Sequence, residues 1–216
     1  MAYRLHYFNT KGRGEGIRLL LTYAGAHWED VRYEMFSDWD TLKTQQLYGQ
    51  LPYLEKDGRK LYQTSTIYRY LGAELGLMPK DSWEAAKADE ITRFLEEVMA
   101  QAVRPLRMIK NDRQKLKLLY DEKMDQVVTP ALKIFDDFLA NQATGTLASE
   151  ICYADFAFYN HLKLVCFFLD LDVSAFSHIN HFIAKIESLP KVANWVAANQ
   201  DVPYTNHDKV PLKSLF

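Results

Sequence analysis

The pattern of apolar and polar positions divides the chain into two parts near residue 80. Residues 3–8 and 28–34 are short, aromatic-rich and partly alternating, as half-buried strands are. Between them, residues 16–24 carry apolar side chains at helical spacing and stop at Gly25, a residue favoured just after a helix end. This pattern predicts a strand–helix–strand unit with the length of a right-handed crossover.

The next forty residues predict a short helix, a hairpin and a second helix. The helix begins at Ser37, and two apolar runs at residues 51–55 and 60–62 flank Asp57-Gly58, a strong hairpin signal. Thr64 or Ser65 then caps a helix that ends at Gly76. The order βαβ, α, ββα predicts an α/β domain of the thioredoxin-like kind at residues 1–78.

The remainder of the chain predicts only helices. From Ser82 onward apolar residues recur at three- and four-residue steps, and Pro79 marks a linker. The predicted helices cover residues 83–110, 113–140, 153–169, 175–187 and 190–198. Pro130 predicts a kink in the second of these helices, and the tail after Asn199 is expected to be extended. We therefore predict an all-α helical-bundle domain at residues 82–216.

Composition excludes several classes of function. The chain is 48% apolar and 25% charged with a formal charge of -2, which is typical of a globular protein without the basic excess that nucleic acid binding requires. It has neither a secretory signal nor an apolar run of membrane-spanning length, so no membrane partner is expected. Cys152 and Cys166 form no disulfide framework, which favours a cytoplasmic location, and no residue set predicts a metal site.

Short motifs follow one another in a fixed order through the first eighty residues. They are Leu5-His6-Tyr7-Phe8-Asn9, Gly12-Arg13 with Glu15 and Arg18, Asp38-Trp39 with Lys43, Gly49-Gln50-Leu51-Pro52, and Gln63-Thr64-Ser65. Their order and spacing resemble the N-terminal signature of sigma-class cytosolic glutathione transferases, a class that includes glutathione-dependent prostaglandin D synthases. The helical part fits this family more loosely, through Ala154-Asp155-Phe156 and Leu189-Pro190-Lys191-Val192-Ala193-Asn194-Trp195. The resemblance implies the glutathione transferase fold, a homodimer, and glutathione as co-substrate.

The resemblance also implies a glutathione site. Its residues would be Tyr7, Arg13, Trp39, Lys43, Gln50, Leu51, Pro52, Gln63 and Thr64, with Glu97 of the partner subunit where the family usually has Asp. Glutathione carries two carboxylates, an ammonium and a thiol, so donors at a helix N-terminus and one cation suit its carboxylates. In the family the proline at position 52 follows a cis bond, which exposes the backbone of Leu51 for pairing with the bound peptide.

Tyr7 is the predicted catalytic residue, with Arg13 beside it. A free thiol has a pKa near 8.5, and lowering it by about two units requires roughly 2.7 kcal/mol of preference for the anion. One hydrogen bond to a charged acceptor is worth about 1.5–3 kcal/mol. One hydrogen bond donated by the Tyr7 hydroxyl is therefore sufficient to hold the thiolate, while Arg13 adds positive potential and orients the hydroxyl.

The electrophile pocket is expected, by resemblance, to include Thr10, Gly12, Met99, Arg104 and His161. Arg104 stands where sigma-class prostaglandin D synthases have a large aromatic residue. Arg104, Arg107, Lys110 and Arg113 form a basic stripe, either a solvated helix face or a pocket wall that favours electrophiles with an acidic tail. A second departure is Cys152, which occupies a cap position where the family has Ser or Thr.

Three functions remain to be separated. The leading one is conjugation of glutathione to electrophiles, with hydroperoxide reduction or prostaglandin isomerisation as further activities. The first alternative is a non-catalytic ligand-binding or structural protein of the same fold, such as the lens crystallins of cephalopods. The second is a thiol oxidoreductase, which needs a cysteine at the end of the first strand, where this chain has Tyr7.

Overall fold

The computed structural model describes residues 2–35, 37–109 and 111–205, and it contains two compact units. The first unit comprises residues 2–78 together with the segment that begins at Glu187, and the second comprises residues 79–186. The predicted domains, 1–78 and 82–216, differ from this grouping in the placement of the last helix.

The first unit has a four-stranded mixed sheet. Its strands and main helices are β1 (Tyr3–Phe8), α1 (Glu15–Ala24), β2 (Trp28–Tyr33), α2 (Asp38–Leu42), β3 (Tyr53–Lys56), β4 (Arg59–Tyr62), α3 (Thr64–Glu74) and the C-terminal α10 (Pro190–Ala198). The strand order is β2-β1-β3-β4, with β1 parallel to β2 and the other pairs antiparallel. This topology confirms the predicted thioredoxin-like domain.

The register of β1 decides which of its side chains enter the core. Tyr3, Leu5 and Tyr7 are buried on one face of the sheet, because alternate residues of a strand point to the same side. On the other face His6 is stacked on Tyr53, with ring centroids 4.2 Å apart. Tyr7, near the end of the strand, is therefore held by the core and lies directly before the loop that leads to α1.

The last helix, α10, packs against α1 of the sheet-containing unit. The indole of Trp195 lies 5.4 Å from the ring of Trp28, and its Nε1–H donates to Glu15 at 2.8 Å. The ammonium of Lys191 reaches the carbonyl of Tyr23. These long-range contacts explain why the segment after Glu187 belongs to the first unit, and helical periodicity alone does not reveal them.

The second unit is all-helical, as predicted. It contains α4 (Ser82–Val98), α5 (Arg104–Met108), α6 (Arg113–Lys123), α7 (Thr129–Ala140), α8 (Tyr153–Leu169) and α9 (Ser177–Ser188). π turns at Met99–Val103 and Met124–Val128 precede Pro105 and Pro130, which lack the N–H that a regular helix would bond. Among the described residues, no helix is both long and apolar enough to cross a membrane.

Two predicted helix limits require correction. The helix expected to reach residue 110 ends at Met108, because Ile109 is extended with ψ 121°, and Lys110 lies outside the described residues. The helix expected from residue 175 begins at Ser177. In the first unit, the cap of α3 is Gln63 rather than Thr64 or Ser65, with consequences for the site described below.

The N-terminus of α8 is fixed by the fully buried carboxylate of Asp155. Its two oxygens accept the backbone N–H groups of Cys152 and Leu147, each at 2.8 Å. Cys152 is thus the helix cap, as predicted. In the capping box, the Asp155 carboxylate accepts the charge-assisted hydrogen bond from the Cys152 N–H. Burial raises the pKa of the Asp155 carboxyl from 3.8 to about 6, against the opposing effect of the two N–H donors.

Asp155→Asn is expected to destabilise the protein by about 1–3 kcal/mol at pH 7, because its amide can accept only one of the two buried N–H groups well. The variant should also lose a pH dependence. Since the native pKa of about 6 exceeds the usual 3.8, the carboxyl favours the native state most below about pH 4, and this contribution is lost as pH rises through 6. Urea unfolding at pH 4–7 measures both effects.

The control for this prediction is Asp81→Asn. Asp81 caps α4 at an exposed position, where its side chain accepts the N–H of Glu84 at 2.9 Å. Asn caps a helix about as well as Asp, so we expect a change below about 0.5 kcal/mol. A similar loss of stability in both variants would contradict the role of burial at Asp155.

Candidate functional site

The hydroxyl of Tyr7 is held by the loop that follows β1. The side chain is 8% exposed, and its oxygen accepts the backbone N–H of Arg13 at 3.0 Å. Arg13 lies in a single 3-10 turn, Gly12–Gly14, that precedes α1. The sequence predicted that Arg13 orients this hydroxyl, and the structure places its main chain, rather than its guanidinium, in that position.

Two glycines allow the loop to approach the Tyr7 ring. A Cβ atom at Gly12, whose φ is +38°, would lie 2.5 Å from the Tyr7 hydroxyl oxygen. A Cβ atom at Gly14 would lie 2.6 Å from Cδ1 of the ring. Both distances are far below van der Waals contact, so side chains at these positions would displace the loop. Gly14 was not among the predicted site residues, although the Gly-Arg-Gly pattern is a signal of close backbone approach.

A small cavity in the first unit collects most of the residues predicted to bind glutathione. It is lined by Arg13, Tyr48, Gln50, Leu51, Pro52, Tyr62, Gln63 and Thr64. The Leu51–Pro52 peptide bond is cis, as the resemblance implies. Thr64 is the first residue of α3, so the cavity lies at the positive end of a helix, which favours anions. Tyr48 and Tyr62 were not predicted to be there.

Trp39 and Lys43 lie on the short α2 helix and the 3-10 turn that follows it. The Trp39 ring meets the ring of Phe8 edge to face, 5.5 Å between centroids, and this contact ties α2 to the end of β1. Lys43 is exposed, and its side chain passes beside Gly49, where a Cβ atom would be 3.6 Å from Lys43 Cγ. Gly49 precedes Gln50, so Lys43 lies close to the cavity-lining segment.

The other predicted residues are distributed over both units. Thr10 is buried in the loop after β1, and its carbonyl accepts a hydrogen bond from Arg18 at 2.7 Å. In the helical unit, Met99 begins a π turn, and Glu97 and Arg104 are exposed. His161 is 2% exposed, and its Nδ1–H donates to the carbonyl of Ala157 at 2.7 Å. Their roles at the electrophile pocket and with a partner subunit stay predictions.

The described residues of the basic stripe are divided between two helices. Arg104 and Arg107 are exposed residues of α5, whereas Arg113 begins the next helix, α6. The guanidinium of Arg107 lies 4.8 Å from the centroid of the Phe168 ring, a cation–π contact within the helical unit. Because α5 ends at Met108, the stripe does not continue along one helix face as its spacing suggested.

Arg18 is a buried residue that holds the loop after β1, a role that the sequence did not predict. Its side chain is fully buried and donates to the carbonyls of Phe8 and Thr10 at 3.2 and 2.7 Å. Its charge is balanced by Glu15 at 3.2 Å and Asp30 at 3.1 Å. A charged residue on the apolar face of a predicted helix was the available signal.

The nearby histidine and the two cysteines are poor candidates for thiol chemistry. Burial lowers the pKa of His6 to about 4, so its ring is neutral at pH 7, and Nδ1 lies 2.7 Å from the Tyr33 hydroxyl. Burial raises the pKa of the Cys152 thiol well above its usual range and that of Cys166 to about 11. Both thiols are therefore protonated at neutral pH. The part of the chain that the structure describes has no cluster of three metal-ligating side chains.

Gln63 has a strained backbone at the cavity. Its φ of 70° and ψ of 118° belong to a region that side chains other than glycine rarely adopt. Such conformations cost about 1–3 kcal/mol and concentrate at functional sites. With this backbone conformation the chain turns from β4 into α3, and the Gln63 side chain lies at the cavity.

Gln63→Gly is expected to stabilise the protein by about 1 kcal/mol while weakening glutathione binding by about tenfold, since glycine relieves the strain but removes an amide. Thermal unfolding and isothermal titration measure the two effects. Asp57→Gly, at φ 53° in the β3–β4 turn, is the matched control and should leave glutathione affinity unchanged. Equal affinity of Gln63→Gly and the unchanged protein would show that the side chain does not bind the ligand.

Comparison with known proteins decides the family. The family model of the glutathione S-transferase N-terminal domain matches residues 3–73, and that of the C-terminal domain matches residues 84–199. The chain belongs to the glutathione S-transferase family. Glutathione S-transferase 1 of Ascaris suum is 31% identical over an alignment of 211 positions, which covers 94% of this chain and 98% of the relative. Glutathione S-transferase Mu 4 of Mus musculus is 28% identical, with 93% of each chain covered.

Solved structures agree with this assignment. The prostaglandin synthase D of Nilaparvata lugens is 29% identical, with a TM-score of 0.83, and the match covers 91% of this chain and 98% of that one. A glutathione S-transferase of Necator americanus described as monomeric is 27% identical, with a TM-score of 0.75 and coverage of 92% and 97%. The predicted fold and the prediction of a glutathione transferase, an enzyme of a family that uses glutathione as co-substrate, are confirmed.

Proposed function

We propose that this glutathione transferase activates bound glutathione through the Tyr7 hydroxyl and transfers its thiolate to electrophiles. The supporting observation is the hydrogen bond from the Arg13 N–H to the Tyr7 oxygen at 3.0 Å. With that oxygen accepting from the backbone, the hydroxyl proton can be directed toward a sulfur atom. The accepted hydrogen bond also polarises the O–H and strengthens it as a donor.

Glutathione binding would use the cavity and its neighbours. Gln63 and the N-terminus of α3 at Thr64 suit the γ-glutamyl carboxylate, because donors converge there with the helix dipole. The backbone of Leu51 suits strand-like pairing with the cysteinyl residue. Further donors for the glycyl carboxylate are Trp39, Lys43 and Gln50.

The chemical step requires no group beyond these residues. The bound thiol loses its proton to solvent, and the thiolate is held by the Tyr7 hydroxyl. With an aryl halide as electrophile, a carbon–sulfur bond forms, the carbon–halogen bond breaks, and halide leaves. Because the thiolate is the nucleophile, Tyr7 acts by raising its concentration at neutral pH.

The finer assignment is a sigma-class enzyme that works as a cytoplasmic homodimer. The motif series through the first eighty residues and the solved prostaglandin synthase support the class. In the dimer, Glu97 of the partner subunit would accept the glutathione ammonium. The Necator americanus relative is described as monomeric, so the oligomeric state of this protein is a direct test of the assignment. Sedimentation as a monomer would contradict the role of Glu97.

Two measurements test the proposed function. Ultraviolet difference spectra of the protein with glutathione should show thiolate at pH 7, with a thiol pKa about two units below 8.5. Conjugation of glutathione to 1-chloro-2,4-dinitrobenzene should proceed with saturation in both substrates. Binding of glutathione without either signal would overturn the proposal and favour the non-catalytic binding protein.

A second candidate activity is isomerisation of a prostaglandin endoperoxide. It is favoured by the similarity to the prostaglandin synthase D of Nilaparvata lugens, at 29% identity. Arg104 supplies a cation in place of a large aromatic residue, which suits an electrophile with a carboxylate tail. Comparing an aryl halide, cumene hydroperoxide and prostaglandin H2 tests this candidate. If Arg104→Ala leaves the relative rates with these three electrophiles unchanged, Arg104 does not select the electrophile.

A further inference from the structure

The segment after Glu187 contacts the Tyr7-bearing end of β1 by three separate routes. We call residues 190–204 the brace, and residues 9–13 the Tyr7 loop. The brace comprises α10 and the turn and loop residues that follow it, rather than the extended tail expected from the sequence. All of its contacts described below lie within the first unit.

The first route consists of backbone hydrogen bonds. The N–H of Lys11 donates to the carbonyl of Pro203 at 2.8 Å, and the N–H of Gly12 donates to the carbonyl of Tyr204 at 3.0 Å. The Lys11 ammonium also lies 4.8 Å from the centroid of the Tyr204 ring. The next residue along the loop is Arg13, whose own N–H reaches the Tyr7 hydroxyl.

The second route passes through buried side chains. The indole N–H of Trp195 donates to one oxygen of Glu15 at 2.8 Å, and the other oxygen accepts from Arg18 at 3.2 Å. Arg18 in turn donates to the Thr10 carbonyl at 2.7 Å. This chain of charge-assisted hydrogen bonds runs from α10 to the Tyr7 loop with every link buried or half-buried.

The third route is formed by Arg32 on β2. Its guanidinium donates to the side-chain carbonyl of Asn199 at 3.1 Å and to that of Asn9 at 3.2 Å. Asn199 belongs to the brace and Asn9 to the Tyr7 loop. The three routes hold the loop at Asn9, Thr10, Lys11 and Gly12, and the second and third are joined by Asp30, whose carboxylate accepts from both Arg18 and Arg32.

We propose that the brace is a positioning element for thiol activation, holding the Tyr7 loop so that the Arg13 N–H remains bonded to the Tyr7 oxygen. The inference rests on the proposed function of Tyr7. The loop tolerates little movement, because Gly12 has a positive φ and packs against the Tyr7 ring. A displacement of about 1 Å at a positioned catalytic group can cost a hundredfold in rate.

A purely structural role for the brace predicts a different result. If α10 and its extension served only to cover α1, weakening them would lower the free energy of unfolding and leave the bound thiol unchanged. Positioning predicts instead that the thiol pKa rises at unchanged fold. The thiol pKa and the pH profile of kcat/KM therefore separate the two roles.

Lys11→Pro with Lys11→Ala as its matched control tests the first route in the full-length chain. The φ of Lys11 is -62°, which proline adopts, so Lys11→Pro removes the N–H donor to Pro203 with the least local change. Lys11→Ala keeps that N–H and removes the side chain beyond Cβ, with the ammonium beside Tyr204. Trp195→Phe tests the second route, because it removes the donor to Glu15 and keeps a ring beside Trp28.

We expect Lys11→Pro and Trp195→Phe each to raise the thiol pKa of bound glutathione by about half to one unit from about 6.5, which lowers the thiolate fraction at pH 6.5 by about two- to sixfold. In both variants kcat/KM should fall by the same factor as the thiolate fraction at pH 6.5 and recover at pH 9. The kcat/KM of Lys11→Ala should stay within about twofold of that of the unchanged protein. If Lys11→Pro does not fold, Trp195→Phe alone decides between positioning and a purely structural role. Asn199→Ala tests the third route, because it removes the acceptor of the Arg32 hydrogen bond.

An unchanged thiol pKa in the folded variants would overturn the positioning role. Equal losses in Lys11→Pro and Lys11→Ala would overturn it as well, since the ammonium rather than the backbone bond would then act. A thiol pKa near 8.5 in the unchanged protein has another meaning. It would contradict the proposed function itself, and the two failures are thus distinguishable.

Discussion

Tyr7→Phe is expected to raise the pKa of the bound glutathione thiol by about one to two units, toward the value near 8.5 of a free thiol. The substitution removes one hydroxyl and keeps the ring that fills the core behind Gly12 and Gly14. A hydrogen bond to a charged acceptor is worth about 1.5–3 kcal/mol, which accounts for this rise, and the smaller thiolate fraction should lower turnover at pH 6.5 by about 5- to 50-fold. Stopped-flow conjugation and thiolate absorbance measure these changes.

The pH dependence of this loss identifies its cause. Above pH 9 the thiol ionises without assistance, so the rate of Tyr7→Phe should approach that of the unchanged protein. Affinity for the electrophile should not change, because the hydroxyl acts on sulfur. A rate deficit that is constant from pH 6 to pH 10 would contradict thiolate stabilisation by Tyr7.

Tyr3→Phe is the matched control. Tyr3 lies on the same strand and the same face of the sheet, is 7% exposed, and loses the same hydroxyl. Its oxygen lies 3.4 Å from the Lys56 ammonium, away from the Tyr7 loop. We expect Tyr3→Phe to leave the thiol pKa and turnover unchanged, whatever its effect on stability.

The position of Tyr7 was predictable, but the way it is held was not. Local signals, an alternating strand and a Gly-Arg-Gly loop, place a buried ring next to a turn. The contact of Gly12 with the Tyr7 oxygen and the bond from the Arg13 N–H depend on the backbone path of the loop. That path is set by distant residues of the brace, which periodicity does not link to β1.

The same limit explains which features of the fold the spacing of apolar residues does not reveal. Strand and helix types follow from spacing, and the sheet topology follows from the order of elements. The association of α10 with α1 rests on Trp195 reaching Glu15, 180 residues apart. The strained cap at Gln63 also escaped prediction, because Thr64 and Ser65 carry the usual cap chemistry and Gln63 does not.

Arg18 connects the fold to the site, since one buried guanidinium holds the Phe8 and Thr10 carbonyls together with two carboxylates. Its replacement should therefore affect both. Arg18→Met is expected to destabilise the protein by about 3–5 kcal/mol, because it leaves the buried Glu15 carboxylate without its cation. The loss is a large part of the 5–15 kcal/mol typical of natural domains. Urea unfolding at pH 7 measures it.

A double variant distinguishes loss of charge balance from loss of packing. Arg18→Met with Glu15→Gln should recover part of the stability, about 1–2 kcal/mol, because the amide does not leave a buried charge. Arg4→Met is the exposed control, with a side chain 42% exposed and paired to Glu29 at 2.9 Å. Such surface pairs contribute less than about 1 kcal/mol. Equal losses in Arg4→Met and Arg18→Met would show that burial does not set the strength of the Arg18 network.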